Sequence, residues 1–178
     1  MIWHGTGWWL AGLTLSALII WSLLSGRLRA SQYRRVAEEL GFTYLGASLP
    51  DALDLPKASF WNSWDAATNV IAGTFKGVET AVFYFHANHG EMGYKQTTVA
   101  IKSGVLVGEL PSHWQSSGIH AERVGEWIVV FRPRETVPPS DIPSFLDDCR
   151  NLLHYFEDQQ RQLSDEKAAR PGATRSLS

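Results

Sequence analysis

Asn69-Val70-Ile71-Ala72-Gly73-Thr74-Phe75-Lys76-Gly77-Val78-Glu79-Thr80-Ala81-Val82-Phe83-Tyr84-Phe85 is the stretch whose reading decides the fold class. Its first half alternates, with Ile71, Gly73 and Phe75 on one side and Val70, Ala72 and Thr74 on the other, the period of a strand. Lys76-Gly77 supplies a tight turn, and Val78 to Phe85 returns as a run rich in β-branched and aromatic residues. The stretch therefore reads as an antiparallel hairpin.

Outward toward the C-terminus, the polar loop Ala87 to Gly93 leads to a further strand, Tyr94 to Lys102. Val105 to Leu110 either extends the sheet or crosses its edge. A second hairpin follows, Ile119 to Val124 and Trp127 to Arg132, with Gly125-Glu126 between them and Gly at the position a type II′ turn favours. Pro133, Pro138 and Pro139 end the sheet region. Ile142, Phe145, Leu146, Cys149, Leu152, Leu153 and Phe156 then recur at three- and four-residue spacing, one face of a helix over about Asp141 to Gln160. Ser140 is placed to cap it, and Pro143 is tolerable because it falls in the first turn. This apolar face needs a surface to bury it, and the sheet is that surface.

Outward toward the N-terminus, Phe42 to Leu45 reads as a short strand. Residues 46–67, punctuated by Pro50 and Pro56, read as a loop with helical turns. Ser31 to Leu40 reads as a helix with Tyr33, Val36, Ala37 and Leu40 on one stripe and Gly41 at its stop. The expected class is α+β, an N-terminal transmembrane helix followed by an antiparallel sheet packed by the long C-terminal helix. A pleckstrin-homology-like roll capped by that helix is the alternative.

From Gly5 to Gly26 no side chain is ionisable. As a helix these residues would be about 33 Å long, enough for a hydrocarbon core of about 30 Å. Trp3, Trp8 and Trp9 near one end and Trp21 near the other suit the interfacial belts. A cleavable signal peptide is the rival reading. It is disfavoured because no Lys or Arg precedes the run and Leu28-Arg29-Ala30 is a poor cleavage site. Arg27, Arg29, Arg34 and Arg35 stand just after the run, so the positive-inside rule puts residues 1–4 outside and the C-terminal domain in the cytoplasm. The expected divisions are 5–26 as transmembrane helix, 27–41 as juxtamembrane amphipathic helix, 42–164 as soluble domain and 165–178 as a disordered polar tail.

The net charge of -2 argues against nucleic acid as a partner, since phosphate binding needs a basic field. A single cysteine, Cys149, rules out an intramolecular disulfide and any zinc site of several thiolates. Neither a nucleophile elbow nor a phosphate-binding glycine loop is present, and no cofactor is implied. The expected partners are the lipid bilayer and a protein partner or second copy of the chain.

Asn69-Val70-Ile71-x-Gly73, Gly77, Val82-Phe83-Tyr84 and Gln96-Thr97-Thr98-Val99, together with Leu40-Gly41-Phe42 and Leu110-Pro111, form a pattern that resembles small, uncharacterised bacterial single-pass membrane-anchored proteins. The resemblance covers about Arg34 to Leu153. It implies a bacterial inner-membrane setting and carries no activity or catalytic residue.

Two clusters remain as candidate sites. His86, His89 and Glu91 offer three metal-ligating side chains within six residues, and His113 or His120 could complete a shell. The competing reading ends the strand at His86 and leaves His89 and Glu91 solvated. Trp61 and Trp64, three residues apart, could anchor a partner or line a pocket, or pack under a loop. The function expected from the whole is a membrane-tethered, non-catalytic module that binds a protein or lipid headgroup, with a metal-dependent or small-ligand enzyme using His86, His89 and Glu91 as the alternative.

Overall fold

A computed structural model of the chain describes residues 6–51, 53–62, 65–87 and 93–169. Among them the class is α+β. Helix α1 (Thr6–Leu40) is followed by β1 (Thr43–Gly46), β2 (Ala66–Phe75), β3 (Val78–Ala87) and β4 (Tyr94–Lys102). A short helix α2 (Ser112–Ser116), strands β5 (His120–Val124) and β6 (Trp127–Phe131), and the long helix α3 (Ile142–Ala169) complete the order. The six strands form one antiparallel sheet in the order β1-β2-β3-β4-β6-β5. That sheet is open, with β1 and β5 as its edges, so the pleckstrin-homology-like roll is not formed.

Both hairpins form where the turn residues place them. Lys76 and Gly77 take positive φ together, the geometry of a type I′ turn, and Phe75 pairs with Val78. At the second turn only Gly125 has positive φ, as a type II′ turn requires, and Val124 pairs with Trp127. Strand β2 begins at Ala66, earlier than its alternation suggests, because a bulge interrupts it. Asn69 has a φ of 52°, and the pairing with β3 shifts register between Thr68 and Ile71. Residues 105–110 are not a strand. They form a strap at the sheet's edge that packs Val105, Val107 and Leu110 against the core.

The sheet is buried on both faces. Ile71, Val82, Tyr84, Val99, Ile101, Ile128 and Val130 meet the C-terminal part of α1 and the apolar stripe of α3, including Leu146, Leu152 and Phe156. On the opposite face Val70, Phe83, Phe85, Trp127, Val129 and Phe131 are covered by the segment between β1 and β2, through Leu53, Leu55 and Ala58 with Phe60 and Trp61 against them. This double burial explains why Val82-Phe83-Tyr84-Phe85 is apolar without interruption.

Three helix boundaries differ from their sequence signals. Ser31 lies inside α1 and does not cap it, since residues 6–40 form one uninterrupted helix of 35 residues, about 52 Å long. A 3-10 turn at Pro139–Asp141 leads into α3, and the Ser140 hydroxyl bonds the Asp141 carboxylate. At its far end α3 runs beyond Ser164 to Ala169. Helix α1 stops where Gly41 takes a φ of 68°, and Phe42 N donates to Ala37 O. It is long and apolar enough to cross a membrane.

Candidate functional site

The direction in which α1 leaves the sheet organises the chemistry of the domain. Leu40 and Phe42 sit beside the middle of β2, where Thr43 pairs with Ala72. Eleven residues nearer the N-terminus, Arg29 places its guanidinium 4.4 Å from the centre of the Tyr84 ring. Tyr84 stands two residues before His86 on β3, so α1 runs antiparallel to β3 and passes out over the end of the sheet where β3 turns to β4. Tyr33 lies between these points, fully buried, with the Thr97 hydroxyl beside its own. Burial pushes the Tyr33 phenol up to about 12.

Each arginine after the apolar run has a definite position. Arg27 is exposed. Arg29 is half-buried over Tyr84, Arg34 lies 4.9 Å from the centre of the Tyr44 ring, and Arg35 pairs with Glu39 at 2.9 Å. The last two are thus engaged by the domain and by α1 itself.

At the same end of the sheet stand Tyr94 and Lys95 at the start of β4, and Arg134 just after β6. Lys95 is exposed, and Arg134 holds its guanidinium 5.7 Å from the centre of the Tyr94 ring. Arg134 does so with a φ of 64°, an uncommon conformation for a residue with a side chain, and its N–H faces Gln96 Oε1 at 3.4 Å. Nothing local in the sequence marks Lys95 or Arg134, which lie 39 positions apart in the chain (134 − 95). Strand pairing brings them to the same end of the sheet, where Lys95 lies on the helix-covered face with Val99 and Ile101 and Tyr94, the ring beside Arg134, on the loop-covered one.

The described histidines do not converge. Phe83, Phe85 and Ala87 point to the loop-covered face, so His86 points to the helix-covered one. His120, two strands beyond β4 in sheet order, points the other way with Val124 and stacks its ring 5.8 Å from that of Phe131. His113 is exposed on α2 beside Trp114. No group of three or more His, Cys, Asp or Glu suited to a metal occurs among the described residues. His89 and Glu91 lie outside the described residues, as does Trp64.

Trp61 is half-buried, its ring 5.3 Å from Phe85, while Phe60 touches Phe85 and Phe131 at 5.2 and 4.7 Å. These contacts close the loop-covered face at the β3–β4 end. Cys149 is 1% exposed on the α3 stripe. Burial, with the Asp148 carboxylate next to it, pushes its thiol far up, so it stays protonated and is a poor nucleophile.

Comparison with known proteins gives no matching family model, no matching curated protein and no matching solved structure.

Proposed function

We propose that this chain is a single-pass protein of a bacterial inner membrane, a non-catalytic module tethered by α1 that binds a protein or a lipid headgroup. The carrying observation is the exposed apolar length of α1. Leu13, Leu15, Leu18, Ile19, Ile20, Trp21, Leu24 and Leu28 are all between 49% and 73% exposed. A core helix of a soluble protein would bury such side chains, and an apolar surface this long needs a nonpolar environment. Thr6 to Leu28 amounts to about 34 Å of helix, which suits a bilayer core of about 30 Å. The arginines that follow favour a cytoplasmic domain and an outside N-terminus. Continuity of α1 into its packed half supports an uncleaved anchor, because Leu28-Arg29-Ala30 is helical.

Reporter fusions at the C-terminus, combined with N-terminal sequencing of the purified full chain, test this reading. Cytoplasmic activity of the reporter and an intact N-terminus are expected. A reporter active outside, or a chain starting near residue 31, would overturn it. Stoichiometric metal in the purified chain that is lost in His86→Ala would replace the non-catalytic module with the metal-dependent alternative.

A further inference from the structure

We infer that the β3–β4 end of the sheet is a second membrane contact, a rim that docks on the headgroups of an anionic bilayer surface. The inference rests on the reading of α1 as a membrane span. Helix α1 is uninterrupted from Thr6 to Leu40, and its last turns are built into the core by Tyr33, Val36 and Ala37, each no more than 5% exposed. The domain therefore cannot swivel freely about the anchor, and one end of it must face the bilayer. That end is the one over which α1 leaves.

Distances along the helix bring the rim to headgroup depth. The described side chains of α1 are exposed as far as Leu28, and Arg29 and Ala30 are the first that the domain half-buries, so the domain begins within one helical turn of the apolar stretch. One turn is about 5 Å, comparable to the headgroup layer on each side of the hydrocarbon core. The chemistry of the rim fits that layer. Arg29, Lys95 and Arg134 supply positive charge, and Tyr94 and Trp61 supply the amphipathic rings that settle at membrane interfaces. Arg134 is held against Tyr94 in a left-handed backbone conformation, so charge and ring are presented together. Among the described residues, two carboxylates share this end. Glu135 is taken up by Arg132 at 3.0 Å, and Asp65 accepts from the N–H of Asn62 at 2.7 Å.

The opposite end of the sheet makes the internal control, since it carries the Gly125-Glu126 turn and the Lys102–Glu79 pair. Cys149 is buried, so single cysteines introduced elsewhere can be labelled selectively. The full chain, carrying a fluorophore at Leu18→Cys, at Glu126→Cys or at Thr136→Cys, an exposed position two residues past Arg134, is reconstituted into vesicles of phosphatidylcholine alone or mixed with phosphatidylglycerol. Lipids bearing quenchers at acyl or headgroup depth then report the position of each label.

The expected result is acyl-depth quenching at 18, headgroup-depth quenching at 136 only in the anionic vesicles, and none at 126. Each basic side chain near an anionic surface contributes about fivefold to partitioning, so Lys95→Gln with Arg134→Gln should lower the docked-to-undocked ratio about 25-fold. High salt on the unsubstituted rim should act in the same direction, whatever the variant does to folding. Quenching at 18 with equal water exposure at 136 and 126 would overturn the rim while leaving the anchor. A water-exposed label at 18 would overturn both. Headgroup quenching at 136 that ignores lipid charge and salt would overturn the electrostatic recognition.

Discussion

Tyr33 shows how one residue couples α1 to the sheet. Its ring is buried among apolar neighbours, and its hydroxyl lies beside Thr97 without a partner at full hydrogen-bond geometry. Burial raises its pKa from 10.0 to about 12, so the folded state favours the neutral phenol more strongly than the unfolded chain does. The stabilisation is fully present below pH 10 and is lost as pH rises toward 12, amounting to about 2–3 kcal/mol over that window. Tyr33→Phe should remove most of that alkaline loss. Urea titrations of both forms in detergent from neutral to alkaline pH measure it, and parallel curves would show that Tyr33 is not the titrating group.

At the scale of elements, the junction of α1 with the sheet depends on a close approach. Gly41 turns the chain, Phe42 drops onto β2, and Gly73 receives it. A Cβ at Gly73 would lie 2.5 Å from Phe42 Cδ1 and 3.1 Å from Phe42 Cα. The backbone contact cannot be relieved by rotating the ring. Gly73→Ala should therefore destabilise by about 1–3 kcal/mol, the usual cost of overpacking, despite the higher strand preference of alanine. A chemical-denaturation midpoint equal to or above that of the parent would contradict this account. The glycine was visible in the strand pattern as an alternating position. Its reason was not, because Phe42 reaches it only after β1 pairs with β2.

On the scale of the whole molecule, the same strands carry both buried faces of the sheet, so the two faces are expected to unfold together. Leu55 lies in the segment between β1 and β2 and is completely buried, as Leu152 is on α3 to within 1%. Each should cost about 2–5 kcal/mol when cut to alanine, although one sits in a loop and the other on a long amphipathic helix. A single cooperative transition with both midpoints lowered is the expected result. Early melting of the loop alone, with the main transition unmoved in Leu55→Ala, would show that the second face is an accessory layer.

Local order and chemistry were legible in the sequence where they depend on near neighbours. Period-two alternation marked β2 and a run of β-branched and aromatic residues marked β3, the Lys76-Gly77 and Gly125-Glu126 pairs marked both turns, and the three-and-four spacing from Ile142 to Phe156 marked α3. Each is set by a repeat of side chains along one element or by the φ preference of one or two residues. By itself the sequence thus determined the α+β class and an apolar N-terminal helix of bilayer length, the feature on which the tether is proposed. Only the tertiary structure decided the open strand order, the loop that buries the second face, and the opposite directions of His86 and His120. It also placed Arg29, Tyr94, Lys95 and Arg134 at the one end of the sheet over which α1 departs. Those features come from long-range strand pairing and packing, which bring together residues that no local periodicity connects.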